Sequence, residues 1–430
     1  MAKKFIAVLG AGKYKECIYT WDNKSFKTEY IQEAIAHIFC SDWGKEDKII
    51  IFTTKESAGL HWNAENTLKD RLDKKFNEPK KINVTNRMIP FGSNSDEQWE
   101  LFDTIFNSLE EGDEVIVDIT QSFRTIPMFL IIILNYAKVL KNIKVSGIYY
   151  GAYDAKTENA DGVDVAPIFD LKMYDLIMDI TNGINTFLKT GNSSVLAETC
   201  SEINNEACRN KDYSLTKMNA AINSLDSFSK SIMTCRGNMS LKDDKKVIGK
   251  SYNKFIKELN SYEKVDDNLS KALGPLFEKV KKETEDFKEM EPVNNGISTV
   301  RWCINKGFIQ QGITALEETM KTFLCIYVNK KMDKNLIYHN KDHREDICNI
   351  VLNSNRKNKK KIVYCDEVKE ILNSNIVPKS LMVLKEQVSA MRDDVNHFGM
   401  RDDARTPNDL KENLEEYFNK FLKIINELGY

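Results

Sequence analysis

Residues 114–134 read EVIVDITQSFRTIPMFLIIIL, and the fold of the first half of the chain turns on them. A β-branched run over 114–120 ends in a knot of polar side chains and passes straight into a strongly apolar helical stretch. That is the pattern of a buried strand whose following helix packs back on its sheet. Outward from it, residues 5–9, 49–53, 88–91 and 145–150 read as further strands, with helical spacing over 28–39, 64–76 and 96–109. Strands alternating with helices predict a doubly wound α/β domain with a parallel sheet over residues 1–188. Beyond residue 188 the strand signal stops, and lysine- and glutamate-rich sequence carries apolar residues at helical intervals. The expectation is an all-α connector over 189–291 and a second all-α domain over 292–430, divided near Glu291 and Pro292. At 430 residues the chain exceeds what one hydrophobic core usually supports.

The charge balance, 62 basic against 64 acidic residues, gives no field of the kind that coats nucleic acid or a membrane surface. No basic recognition helix is apparent, so stable DNA binding is not expected. Nine cysteines without a CxxC pair argue against a zinc site and against a disulfide framework; they read as reduced, buried, small apolar residues of a cytoplasmic protein. The longest apolar run, 128–134, is far short of the roughly 20 residues that span a bilayer. Residues 1–9 run directly into a strand without a signal-peptide pattern.

Two loops at strand ends are candidates for a ligand site, because helix N-termini and loop amides converge there in an open parallel sheet. The first is Gly10, Ala11, Gly12, Lys13 and Tyr14, where glycines admit a phosphate and Lys13 brings charge. Lys15 stands where a dinucleotide fingerprint needs its third glycine, so a tight turn explains these residues equally well. The second follows Asp118 and holds Thr120, Gln121, Ser122, Phe123 and Arg124. Its hydroxyls and amide suit ribose or a base edge, and Arg124 suits phosphate. Ser122 as a helix cap and Asp118 as a turn anchor are the plainer alternative; the concentration of donors opposite the glycine loop favours a nucleotide.

A third candidate lies at residues 391–399, near the end of an amphipathic helix that begins around Lys379. Cleaving RNA without a metal requires a proton acceptor, a proton donor and a cation for the phosphorane. His397 can exchange protons near neutrality, and Arg392 keeps its charge. Five residues correspond to about 140° round an ideal helix, so Arg392 and His397 do not share a face, whereas Arg392 and Asn396 do. A two-fold dimer would gather both residues from both copies into one cleft. On spacing alone, a surface helix end explains the pair.

Taken in order, these stretches resemble the ancillary ribonucleases of type III CRISPR systems, which join a Rossmann-like CARF (CRISPR-associated Rossmann-fold) sensor to a HEPN nuclease domain. FIAVLGAGKYKECIY at 5–19 is similar to that family's first strand and glycine loop, and DITQSFRTIPM at 118–128 to its second signature, with Ser122 where a glycine is frequent. RWCINKGFIQQGITALEE at 301–318 resembles the entry to the HEPN domain, and RDDVNH at 392–397 its arginine-to-histidine motif. The resemblance implies a homodimer with a cyclic oligoadenylate as activator, cyclic tetra-adenylate foremost, held by Gly10 through Tyr14 and Thr120 through Arg124. It implies single-stranded RNA as substrate, Arg392 and His397 as catalytic residues, Asp393 and Asn396 as their orienting neighbours, no metal or cofactor, and products with a 2′,3′-cyclic phosphate. Alternatives are a sensor that regulates without cutting, a sensor joined to a metal-dependent nuclease, and a pocket that linearises its own activator through Thr120, Gln121 and Lys13. Glu317 and Glu318 could lie near the catalytic cleft, but an exposed acidic pair on a helix is the plainer reading.

Overall fold

In chain order the strands are β1 (Lys3–Leu9), β2 (Cys17–Trp21), β3 (Lys24–Thr28), β4 (Lys48–Thr53), β5 (Asn83–Met88), β6 (Glu114–Asp118), β7 (Lys144–Gly151), β8 (Thr157–Glu158) and β9 (Asp164–Asp170). They form one sheet in the order β3-β2-β9-β7-β6-β1-β4-β5, with β8 against β9. From β7 to β5 every neighbouring pair is parallel. The computed structural model describes residues 2–120, 125–237, 248–287, 291–354 and 365–430. The chain divides into two compact units, Met1–Leu176 and Ile177–Tyr430.

Alternation along the central strands sends side chains to both faces, and both faces are covered. Phe5, Ala7, Leu9, Ile49 and Ile51 join one core with Ala34, Ile35 and Trp62; Ile6, Val8, Ile50, Phe52, Val115 and Val117 join the other with Leu101, Ile105, Leu130 and Ile133. This is the doubly wound arrangement expected from the sequence, with differences at the edges. β2, β3 and β9 lie outside the expected strands, and they make one side of the sheet mixed: β9 runs antiparallel to β7 and parallel to β2, and β2 and β3 form an antiparallel hairpin turning at Asp22, whose φ is 48°. The strand expected at 88–91 is Asn83–Met88 instead. As the outer edge strand it is mostly polar, with only Val84 and Met88 apolar, and lacks the dense apolar run of a central strand.

The helix Ile126–Lys141 buries Ile126, Leu130, Ile133, Leu134 and Ala137. Its other side exposes Met128, Ile132, Tyr136 and Val139, spaced at helical intervals along one face.

The second unit is helical, as its composition indicates. Helices Ser194–Arg209, Thr216–Met233, Ile248–Tyr262 and Asn268–Thr284 precede Pro292–Lys306, Ile309–Met332, Lys379–Asn396 and Pro407–Glu427. Phe228, Tyr252, Phe287 and Trp302 make an aromatic cluster. Leu316, Met320, Phe323 and Leu324 pack with Leu381, Leu384, Val388 and Met391 and with Leu414, Phe418 and Phe421. The turn between Pro292–Lys306 and Ile309–Met332 depends on Gly307, whose φ of 76° suits glycine. A Cβ at Gly312 would lie 2.7 Å from Leu414 Cδ2, so its absence is what lets these helices close up.

Among the described residues no helix is long and apolar enough to cross a membrane. Cys17, Cys40, Cys200, Cys303, Cys325 and Cys348 are buried as expected, but Cys235 and Cys365 are exposed.

Candidate functional site

Because β1 and β6 are parallel neighbours, with Ala7 opposite Asp118, the two loops singled out in the sequence emerge at the same end of the sheet. The first is fixed from beneath. Gly10 N–H donates to Tyr14 Oη at 3.0 Å, and the Tyr14 hydroxyl donates to Gly10 O at 3.1 Å. The Tyr14 ring sits against Tyr30 and meets His61 edge-on at 4.7 Å. His61 Nε2 lies 2.9 Å from Gly12 O, a contact that makes Nε2 the protonated nitrogen. Burial pushes the Tyr14 phenol above its ordinary pKa. Tyr14 therefore anchors the loop from inside, Lys13 is exposed, and nothing stands within 4 Å of where a Cβ of Gly12 would project.

The second loop opens with a locked threonine. Thr120 N–H and Oγ1 donate to Asp118 Oδ1 at 2.9 and 2.5 Å, and Thr120 Oγ1 accepts from Gly151 N–H at 2.7 Å, tying the end of β6 to that of β7. Asp118 is buried, and its second oxygen, Oδ2, has no partner among the described residues. Gln32, which donates to Val8 O at 3.0 Å, likewise has a buried Oε1 with no partner among the described residues. Two orphaned acceptors close to the ends of central strands make a site that favours a hydrogen-bond donor. Gln121, Ser122, Phe123 and Arg124 lie outside the described residues.

Burial raises the Asp118 carboxyl from 3.8 to about 6, against the pull of the Thr120 hydrogen bonds. The folded state thus holds this proton more tightly than the unfolded chain. The resulting stability is present below the unfolded value and is lost as pH rises through about 6. Urea denaturation should show the wild type losing up to roughly 3 kcal/mol between acid and neutral pH relative to Asp118→Asn. Parallel pH dependences in the two proteins would dismiss the buried acid.

In the helical unit, Arg392 lies on Lys379–Asn396 and its Nη1 donates to Glu317 Oε1 at 2.9 Å; Nη2 is 3.5 Å from Asp393 Oδ1. Glu317, on the helix Ile309–Met332, is 2% exposed. Its Oε1 also accepts from Lys385 Nζ at 2.9 Å, and Lys385 Nζ donates to Ser389 Oγ at 2.7 Å. Lys385, Ser389 and Arg392 therefore form one stripe, four and then three residues apart, facing a single buried carboxylate. Burial lowers the Lys385 pKa, and Glu317 pulls it back up. Asn396 Oδ1 accepts from Gln310 Nε2 at 3.2 Å, so Arg392 and Asn396 both turn to the helix Ile309–Met332, as their shared face requires.

His397 caps the helix, its backbone N–H donating to Asp393 O at 3.0 Å, and its side chain is exposed. Phe398 and Met400 beside it are 92% and 82% exposed. Asp394 belongs to the scaffold: it is buried and accepts from Arg405 N at 3.0 Å and Nη1 at 3.3 Å.

The exposed acidic pair expected at 317 and 318 is therefore overturned. Adjacent helical positions point about 100° apart. Glu317 enters the Lys385–Arg392 stripe, whereas Glu318 pairs with Arg344 at 2.6 Å and Lys321 at 3.0 Å. The sequence reading misses both Glu317 as a buried anion and Lys385; the available signal is a glutamate facing an otherwise apolar helix stripe through Ile313, Leu316 and Met320. No group of three or more His, Cys, Asp or Glu side chains arranged to hold a metal occurs among the described residues.

Residues 4–154 match the family model of the CARF domain of the CRISPR system endoribonuclease Csx1. The CRISPR-associated protein MJ1674 of Methanocaldococcus jannaschii is 28% identical over 267 residues, which cover 59% of this chain and 37% of that protein's length. Among solved structures, Enterococcus italicus Csm6 bound to cyclic hexa-2′-fluoro-hexa-dAMP aligns over 99% of this chain and 94% of its own, with 10% identity and a TM-score of 0.41, too low to define a shared fold. Residues 4–154 of the N-terminal unit thus form a CARF domain, and the chain spans little more than a third of the length of the curated relative it matches.

Proposed function

We propose that this protein is an endoribonuclease of type III CRISPR defence, switched on when a cyclic oligoadenylate fills the CARF site and cutting single-stranded RNA at a HEPN site in the helical unit. The observation that carries this reading is the Arg392 guanidinium pinned by a buried carboxylate five residues before an exposed histidine, in a chain whose residues 4–154 match a CARF domain. Arg392 neutralises the phosphorane, and His397 exchanges the proton of the ribose 2′-hydroxyl or of the leaving oxygen. Asn396 and Asp393 orient their neighbours. No metal or cofactor enters the step, and the product is a 2′,3′-cyclic phosphate.

The working form is a homodimer in the cytoplasm. The roughly 140° between Arg392 and His397 calls for a second copy to complete the cleft. The exposed apolar side chains Phe398 and Met400, and the apolar face of Ile126–Lys141, favour such a partner. Activation requires the activator to bind the closed dimer better than the resting one. Gly10, Gly12, Lys13, Thr120, Gln121, Ser122 and Arg124 line its pocket. Cyclic tetra-adenylate is the first choice.

The test is digestion of a fluorescent single-stranded RNA with each cyclic oligoadenylate in turn, in the presence of chelator. Cleavage with one ring size, undiminished by chelator, is the expected outcome. Cleavage only after divalent metal is restored points to a metal-dependent nuclease, and none with any ring to a sensor that does not cut.

A further inference from the structure

The glycine loop after β1 is held at two points, and each holds a backbone group. Tyr14 Oη closes on Gly10, accepting from its N–H and donating to its carbonyl. His61, the last residue of the helix Lys55–His61 that follows β4, brings Nε2 to 2.9 Å from Gly12 O. A carbonyl only accepts, so Nε2 carries the proton, and in the neutral ring Nδ1 is the acceptor, 3.4 Å from the Tyr30 hydroxyl. Tyr14 and Tyr30 confine the ring, both edge-on, with centroids at 4.7 and 5.9 Å.

Fixing Gly12 O also fixes the next amide. The Gly12–Lys13 peptide is trans, and in a trans peptide the carbonyl and the following N–H point in opposite directions. With its carbonyl turned to His61, this peptide sends the Lys13 N–H away from the packed side of the loop. Gly12 and Lys13 are both exposed, and among the described residues the Lys13 N–H donates to no backbone carbonyl. Glycine tolerates either orientation of the peptide that follows it, and nothing crowds Gly12 within 4 Å of where a Cβ would stand. Without His61 the peptide could turn over and face the ligand with its carbonyl, which repels an anion. An outward N–H beside a lysine ammonium is instead a pair of donors suited to phosphate.

We propose that His61 is a positioning residue of the activator site: it holds the Gly12–Lys13 peptide with its N–H outward, so that this amide and the Lys13 ammonium meet one phosphate of the cyclic oligoadenylate together. His61 acts through the peptide and not on the ligand. The proposal rests on the reading of the CARF loops as an oligoadenylate pocket and adds to that pocket a residue 49 positions from the glycine it holds.

Isothermal titration of the full chain with cyclic tetra-adenylate and with cyclic hexa-adenylate tests it, on wild type, His61→Phe, His61→Leu and His61→Gln. Phenylalanine keeps a ring against Tyr14 and loses the donor, and leucine loses the donor with a smaller side chain. Glutamine loses the ring and keeps an N–H at the reach of Nε2. His61→Phe and His61→Leu should bind about tenfold more weakly, the upper range for one hydrogen bond, and His61→Gln within about twofold of wild type. A histidine that served only to pack the loop would give the reverse order, because phenylalanine preserves the ring contacts and glutamine does not. Wild-type binding that His61→Phe or His61→Leu leaves unchanged, or that His61→Gln weakens as much as they do, overturns the positioning role and leaves the pocket standing. A wild type that binds neither ring ends the pocket reading, and this proposal with it.

Discussion

His397→Ala is expected to lower activated cleavage of a single-stranded RNA by about 10²–10⁴-fold, the span of a lost general acid or base. The side chain is exposed at the helix end, so its removal should leave the melting curve and oligoadenylate affinity where they were. Arg392→Ala should cost about 10²–10³-fold, in line with loss of one group that stabilises a transition-state charge. Arg392→Lys should recover only part of this, since an ammonium cannot keep both the bond to Glu317 and a fork toward phosphate. Cleavage by His397→Ala within a few-fold of wild type, at undiminished ligand affinity, would remove the histidine from the chemistry and with it the HEPN assignment.

Legibility from sequence follows burial. The central strands β1, β4, β6 and β7 are rich in β-branched, aromatic and other apolar residues because both faces are covered, and all are readable. β3 and β5 lie at the two edges of the sheet with mostly exposed or half-exposed side chains, and DVAPIFD of β9 contains Pro167, so these strands carry no comparable signal. The same logic governs the sites. GAGK and RDDVNH are contiguous in the chain and stand out by residue type. The groups that fix them come from far away: His61 reaches Gly12 across 49 residues, and Glu317 reaches Arg392 across 75. Local periodicity can set Glu317 on an apolar stripe, but it does not say which distant group such a residue meets. Glu317 is visible as a residue but not in its environment, because the cations that draw it inward lie on another helix.

That buried carboxylate sets the second large effect. Glu317→Ala leaves Lys385, itself 1% exposed, without its counter-charge, and loss of one member of a buried pair typically costs about 3–5 kcal/mol. The helical unit should therefore melt well below wild type, and activity loss in this variant alone would not separate fold from catalysis. Two further variants do. Glu317→Gln keeps the shape and a hydrogen-bond acceptor but no charge, and should lower kcat more than KM, because Arg392 is then free to leave the position it holds in the ground state. The pair Glu317→Leu with Lys385→Met replaces the buried ions by apolar side chains, an exchange that is commonly neutral or stabilising; its melting temperature should return to near wild type. Its RNA cleavage should not, since Arg392 still lacks its anchor. Should the double variant regain full cleavage together with stability, Glu317 serves only to hold the two helices together, and the guanidinium finds its working position without it.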